Sequence, residues 1–332
     1  MRLALLSFVL AVPLAGTHSS TDRPGPQRDH RVRVQQAPQT AGESVFRTRT
    51  DLVALNVTVL DDKGNLVGGL TGDAFTVTED GQPKAIAHFT AERAPISLVL
   101  AVDASESMTG ERFEVARQAV LRFFETQGPD DEITIIGFND RVFSIAPWTR
   151  LLSTVEAALR QVRPIGSTSL YGAVIDAVDA LRASNHRRQA VIVISDGNDF
   201  RPSDLGSKDP VPPAQRRLML TLQRLESTEA LVYAIGVDAG PTAGTKDKTF
   251  DGAALRKLTD PTGGFTAMVH SLSGVPDAAE RIAGELQRQY VIGFAPTHTA
   301  DGRFHHLRVT TSACKCRVRA RAGFLADRSP RS

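Results

Sequence analysis

The sequence predicts an α/β protein, a mainly parallel sheet covered by helices on both faces, with a β-rich segment on each side of it in the chain. Three observations predict this. Two short apolar runs rich in β-branched residues, Ile96 to Val102 and Ala190 to Ser195, each stop at an aspartate, Asp103 and Asp196. Such runs suit strands buried on both faces. Between Ile96 and Arg288 strand-like and helix-like periodicities alternate, the pattern of parallel strands joined by crossover helices. Before and after that region the apolar period falls to two, as in half-buried antiparallel strands.

The 332 residues favour two domains, and 41% hydrophobic content supplies a sizeable core. A formal net charge of +2 with dispersed basic residues gives no nucleic-acid footprint. The start, MRLALLSFVLAVPLAG, has Arg2, an apolar run from Leu3 to Leu14 and small residues at Ala15 and Gly16. This reads as a cleavable signal peptide over 1–16, too short to span a bilayer comfortably. The protein is then expected to be secreted or periplasmic, with no transmembrane segment in the mature chain. The two cysteines, Cys314 and Cys316, make no disulfide framework or zinc site. They read as two small residues on one face of a strand, because a bridge across one residue would be strained.

The elements follow in order. Residues 17–44, rich in Pro, Gln, Arg and Thr, read as a disordered linker. Residues 45–91 read as a small antiparallel module: the strand Leu52 to Leu60, turn chemistry at Asp61 to Asn65, then a hairpin turning at Glu79-Asp80-Gly81. An α/β domain over 95–288 starts with the strand Ile96 to Val102. It continues through a helix from Arg112, a strand Glu132 to Phe138 and a strand Arg141 to Ile145 folded back on it. Helical periodicity covers Leu151 to Val162 and Leu170 to Leu181. The strand Ala190 to Ser195, the helix Ala214 to Leu225 and the strand Ala230 to Val237 follow. Gly240 to Thr249 reads as loop, Ala253 to Leu258 as helix, Gly264 to Val269 as strand and Asp277 to Arg288 as a closing helix. Residues 289–326 turn β again, their third run alternating Val318, Ala320 and Ala322 with a solvated row of Arg317, Arg319 and Arg321.

Neither flank has enough strands to be stable alone, and termini of compact domains often lie close together. Both flanks are therefore expected to combine into one β-sandwich, burying Val57, Val59, Phe75 and Phe89 against Val291, Ile292, Leu307 and Val309.

The chemistry concentrates at strand ends, where ligands bind in open α/β sheets. Asp103, Ser105 and Ser107 alternate after the first apolar strand, Thr168 precedes a helix, and Asp196 ends the strand from Ala190. Two carboxylates and three hydroxyls form a hard, all-oxygen set that suits Mg²⁺ or Mn²⁺ better than zinc. These five residues resemble the metal-ion-dependent adhesion site of the von Willebrand factor type A (VWA) domain: DxSxS, then Thr, then Asp, in the family's order and spacing. The resemblance implies a Rossmann-like doubly wound sheet with one antiparallel edge strand. It also implies direct metal ligation by Ser105, Ser107 and Thr168, with Asp103 and Asp196 acting mainly through waters or hydrogen bonds. The metal would be Mg²⁺, or Mn²⁺ or Ca²⁺ in its place. LVALNVTVLDDKGNLVGGLTGDAFTVTEDG and QYVIGFAPTHTADGRFHHLRV further resemble secreted bacterial VWA-related proteins.

The function implied is non-enzymatic: adhesion or protein–protein interaction, with an acidic side chain of a protein partner captured by the metal. A metal-dependent hydrolase or phosphoryl-transfer enzyme is the alternative, yet Ser105 stands where such strand-end motifs carry a second acid, and neither serine sits in G-x-S-x-G. A third reading makes the metal site vestigial and gives binding to the β module. The eight histidines show no metal-type spacing; His305 and His306 point to opposite faces of a strand and read as exposed or turn residues.

Overall fold

A computed structural model describes residues 52–238, 250–297 and 301–326. The expected signal peptide, the expected linker, the first residues of the expected N-terminal module and the expected loop from Gly240 to Thr249 lie outside the described residues. The N-terminal flank supplies β1 (Val53–Leu60), β2 (Phe75–Glu79), β3 (Gln82–Lys84) and β4 (Ile86–Thr90). The central region runs β5 (Ile96–Asp103), α1 (Glu111–Thr126), β6 (Glu132–Phe138), β7 (Val142–Thr149), α2 (Leu152–Leu159), α3 (Leu170–Ala180) and β8 (Arg188–Ser195). It continues with α4 (Pro213–Glu226), β9 (Leu231–Val237), α5 (Gly252–Thr259), β10 (Thr266–Val269) and α6 (Val275–Gln287). The C-terminal flank adds β11 (Tyr290–Phe294), β12 (Phe304–Thr311), β13 (Arg317–Arg319) and β14 (Gly323–Leu325).

The central sheet has the order β10-β9-β8-β5-β6-β7, parallel throughout except for β7, which folds back antiparallel on β6. Every residue of β5 is buried, so its alternating side chains feed two cores. Leu98, Leu100 and Val102 pack with Val115, Ala119 and Phe123 of α1 and with Ala279 and Ile282 of α6. Val99 and Ala101 pack with Leu170, Val174 and Ala177 of α3 and with Leu255 and Leu258 of α5. From β5 the chain winds first to β6 on one side and later to β8 on the other, so the switch in winding falls between β5 and β8, where a ligand crevice belongs.

The flanks form one sandwich-like module from two four-stranded sheets, β13-β1-β11-β4 and β14-β12-β2-β3. All four N-terminal strands depend on it. β1 pairs with β11 and β13, β4 with β11, and β2 with β12, while β3 pairs with β2. The β2–β3 turn takes Asp80 at φ 49 and Gly81 at φ 81, the two positive values that the preferred two-residue hairpin turn needs. Leu55, Val57, Val59, Phe75 and Val77 share a core with Tyr290, Ile292, Phe294, Leu307, Val309 and Phe324. Phe89 is only partly buried against this core, although its ring stacks on Tyr290 at 5.7 Å.

Three expectations need correction. Val291 is half-buried while Tyr290 and Ile292 are buried; with a side-chain period of two, neighbours in β11 cannot both face the core. The third tail run is not one strand with a solvated basic row. It splits into β13 and β14, which join different sheets. Arg319 faces the α/β unit, ion-paired to buried Glu285 and 4.6 Å over the Phe265 ring, and Arg321 donates to the Glu226 carbonyl. Cys314 and Cys316 are not strand residues; a bend before β13 brings their Cα atoms to 5.2 Å and a disulfide joins them, within ordinary bridging reach.

Glu285 of α6 joins the module to the α/β unit. It accepts from Thr58 Oγ1 of β1 at 3.1 Å, from Tyr233 Oη of β9 at 2.9 Å, and from Arg319. Burial pushes its carboxyl pKa up, against the opposing pull of Arg319 and the hydroxyls. Among the described residues no helix is long and apolar enough to cross a membrane.

Ending the chain after Gln289 removes β11 to β14, so β1, β2 and β4 lose their partners. Limited proteolysis with mass readout should then show cleavage within residues 53–90 while the α/β unit stays intact. Undiminished protection of those strands would mean that they hold together without the tail.

Candidate functional site

The strand-end residues follow from how β5 leaves the sheet. Ala104 N–H donates to the Phe138 carbonyl at 2.7 Å, holding the chain against the end of β6 for one more residue. Ser105 is extended (φ −75°, ψ 164°), and a single 3₁₀ turn, Glu106–Met108, follows. Met108 is fully buried and anchors that turn. Ser105 and Ser107 are buried, with their Oγ atoms 3.0 Å apart, while Glu106 between them is exposed. Asp103 accepts from the Ser105 N–H at 2.9 Å through Oδ1, and from Ser195 Oγ of neighbouring β8 at 2.6 Å through Oδ2.

Thr168 is buried beside this turn. Ile165 N–H donates to the Ala104 carbonyl at 2.9 Å and Glu106 N–H to the Gly166 carbonyl at 3.0 Å, which ties the loop before α3 to the end of β5. Thr168 and Phe200 exchange backbone hydrogen bonds of 2.9 and 3.0 Å, tying the same loop to the segment after Asp196. Asp196 leaves β8 into Gly197 at φ +86, where an added Cβ would lie 2.2 Å from the Asp251 carbonyl oxygen. Only glycine suits both that backbone region and that space. Asp196 Oδ1 accepts from Asn198 N–H at 3.2 Å. Asp103, Ser105, Ser107, Thr168 and Asp196 thus all stand at the carboxyl edge beside the β5–β8 switch point.

Asp103 and Asp196 are both fully buried. Burial first, and the charge of Asp196 second, raise the Asp103 pKa to about 7, in spite of the hydrogen bonds from Ser195 and Ser105. Among the described residues the cation facing them is Arg112, which the sequence pattern presents only as a helix start. Its guanidinium is 4% exposed and donates from one nitrogen to Asp196 Oδ2 at 3.3 Å and to the Ser107 carbonyl at 3.2 Å. The signal available was an arginine one turn beyond the two serines, at a helix start where a buried cation is unfavourable unless an anion waits for it.

A rim surrounds the edge. Arg217 of α4 clamps the loop after Asp196, pairing with Asp199 and Asp204. Ile165, Phe200 and Leu205 project as large exposed apolar side chains from the loops so tied together.

A second cluster lies in the β module. Glu79, Asp80 and His305 offer one ligand atom each within 4.8 Å of one another, a group that could hold a divalent ion. His305 departs from the sequence reading: it is buried, because β12 turns alternate residues inward and leaves His306 outside. Both of its ring nitrogens face carboxylates, Nδ1 with Asp80 at 2.7 Å and Nε2 with Asp301 at 3.1 Å. Glu79 is paired with Lys84 at 2.9 Å. An imidazole bracketed in this way is suited to carry a proton.

Residues 98–198 match the family model described as von Willebrand factor type A domain, and such a domain is present in the chain. Solved structures resemble it at low identity. One is an aerotolerance-related membrane protein from Bacteroides fragilis, 17% identical over 57% of this chain and 98% of that one, TM-score 0.45. Another is the vWF domain of the type V pili tip protein Mfa5 from Porphyromonas gingivalis, 15% identical over 58% and 95%, TM-score 0.46. A third, a von Willebrand factor type A protein from Catenulispora acidiphila, is 12% identical over 86% of this chain and 76% of that one, TM-score 0.48. No curated protein matches the chain.

His305 yields a pH-dependent expectation. Burial disfavours the charged ring, but hydrogen bonds and charge from Asp80 and Asp301 outweigh it and hold the pKa above the ordinary value. A raised folded-state pKa adds stability that is complete below the unfolded value and is lost as pH rises through the folded one. Denaturant unfolding followed in the β module should therefore weaken from about pH 6 upward in the wild type. In His305→Gln the same profile should be flatter, and equal slopes would remove the charged-histidine assignment.

Proposed function

We propose that the von Willebrand factor type A domain of this chain is a non-enzymatic binding module, secreted or periplasmic, that captures an acidic group of a protein partner. Asp103, Ser105, Ser107, Thr168 and Asp196 would hold a divalent metal, Mg²⁺ in the first place and Mn²⁺ or Ca²⁺ as substitutes. One observation carries the reading: two fully buried carboxylates and two buried hydroxyls 3.0 Å apart meet at the switch point of the sheet, with the Arg112 guanidinium against them.

The donor set fits such an ion. Hard oxygens suit Mg²⁺, which keeps several waters and binds few carboxylates. Burial first, and the charge of Asp196 second, disfavour the ionised form of Asp103, and a cation beside the pair would relieve both. The division of labour implied by the resemblance is consistent with the hydrogen bonds. Asp103 already spends one oxygen on Ser195 and the other on the Ser105 N–H, which suits an indirect role, whereas Ser105 and Ser107 present neutral hydroxyls. Bound metal would supply a Lewis-acidic position open to an outside carboxylate oxygen. Ile165, Phe200 and Leu205 around the edge add apolar area of the kind that marks protein contacts.

Asp103→Ala should abolish calorimetric Mg²⁺ and Mn²⁺ binding while circular dichroism stays native, because the β5 core is untouched. Metal affinity equal to wild type would sink the assignment. Partner capture from envelope and culture extracts should need Mg²⁺ and stop with chelator; turnover of phosphate or ester substrates would favour an enzyme instead.

A further inference from the structure

We infer that Arg112 sets the sign of the strand-end site, so that the loaded site is positive and selects anionic groups at the expense of metal affinity. The inference rests on the metal reading above and assigns a specificity-determining role to a residue outside the five donors.

Charges at this buried edge are poorly screened by solvent and can be added up. Asp103, Asp196 and Arg112 are all buried. With both carboxylates ionised, as they would be around a divalent ion, these three described groups sum to −2 + 1 = −1. A divalent ion takes that buried group to −1 + 2 = +1. With a neutral residue at 112 the loaded group would be −2 + 2 = 0, and the long-range attraction for a carboxylate would be lost. The serine and threonine hydroxyls add no charge of their own.

Geometry keeps the arginine in place. Its guanidinium bonds to Asp196 Oδ2 at 3.3 Å and to the Ser107 carbonyl at 3.2 Å, so it bridges the two sides of the site, one from β5 and one from β8. It donates to the backbone of Ser107, while the Ser107 hydroxyl lies against that of Ser105 at 3.0 Å. The cation therefore enters the charge balance without displacing the hydroxyl pair. Arg112 sits at the second position of α1, whose following residues Val115 and Ala116 are fully buried in the core. The helix that covers β5 thus fixes the guanidinium. Like charges separated by a few ångströms in a buried site repel strongly, so Arg112 opposes metal entry; the same charge then favours an anion arriving at the loaded site.

The test uses Mn²⁺ and acetate as probes on the purified protein. Free Mn²⁺ measured by electron paramagnetic resonance gives the metal affinity, and paramagnetic broadening of the acetate methyl signal gives anion binding to the Mn²⁺-loaded protein. Arg112→Met and Arg112→Gln should bind Mn²⁺ about tenfold more tightly or better and acetate about tenfold more weakly, while Arg112→Lys stays near wild type. Saturating Mn²⁺ should also raise the thermal midpoint of the neutral variants more than that of the wild type, which provides a readout even where the metal-free variants are partly unfolded. Neutral variants that bind Mn²⁺ no more tightly, or acetate no more weakly, than wild type overturn the inference and leave the metal reading standing. Absence of Mn²⁺ binding in wild type and variants alike overturns both.

Discussion

A strand buried on both faces can hold polar side chains only near its ends, and β5 obeys that constraint. From Leu98 to Val102 it carries nothing but apolar residues. Its polar groups sit at the entry, Ser97, and at the exit, Asp103. The two ends differ in how they are neutralised. At the entry, Glu132 accepts from Ser97 Oγ and from the backbone and side chain of Asn185, each at 2.7 Å, and Asp131 is paired with Arg93. At the exit two buried aspartates share one arginine. The same architecture thus makes, among the described residues, a polar cluster satisfied within itself at one edge of the sheet and two buried carboxylates with one guanidinium between them at the other.

The flanks obey a different constraint. β1 and β4 both hydrogen-bond to β11, about two hundred residues further along the chain and directly after α6. An antiparallel sheet built from such distant pieces needs the intervening domain to bring its ends together, and loop closure over that length is costly only until the domain has folded. Glu285 fixes the junction. A buried carboxylate is unfavourable by itself, and here Thr58, Tyr233 and Arg319 come from three separate strands to satisfy it. Removing Arg319 would leave that charge buried and unpaired, which costs far more than such a network contributes as a whole.

Much of this was legible in the sequence because it rests on period and on strand ends. The alternation of strand and helix, the antiparallel edge after Asn139-Asp140, the Asp80-Gly81 turn and the joining of the two flanks all follow from local pattern and from the weakness of small isolated sheets. The five candidate donors could be named because each falls at the end of a strand or the start of a helix. What escaped depends on which surface meets which. Arg319 and Arg321 read as part of a solvated row and Arg112 as a helix start, but each donates to an oxygen on an element distant in sequence. His305 escaped for the same reason: Asp80 becomes its neighbour only through the pairing of β12 with β2. The cysteine pair needed a bend that no period reveals.

The register of a five-residue stretch decides the chemistry of the exit. In Asp103-Ala104-Ser105-Glu106-Ser107 alternate side chains turn inward, so the acid and two hydroxyls enter the buried site while Glu106 stays in solvent. A slip of one residue would bring Ala104 and Glu106 in and put Asp103 and both hydroxyls out. One carboxylate would replace another, leaving the charge unchanged, but the neutral oxygens would be gone from the buried site. Two contacts hold the register: Ala104 N–H on the Phe138 carbonyl before the serines, and the fully buried Met108 after them. Neither residue has a donor atom to offer a ligand from its side chain beyond a weak thioether. Their contribution is to keep Asp103 and the neutral hydroxyl oxygens inside and Glu106 outside.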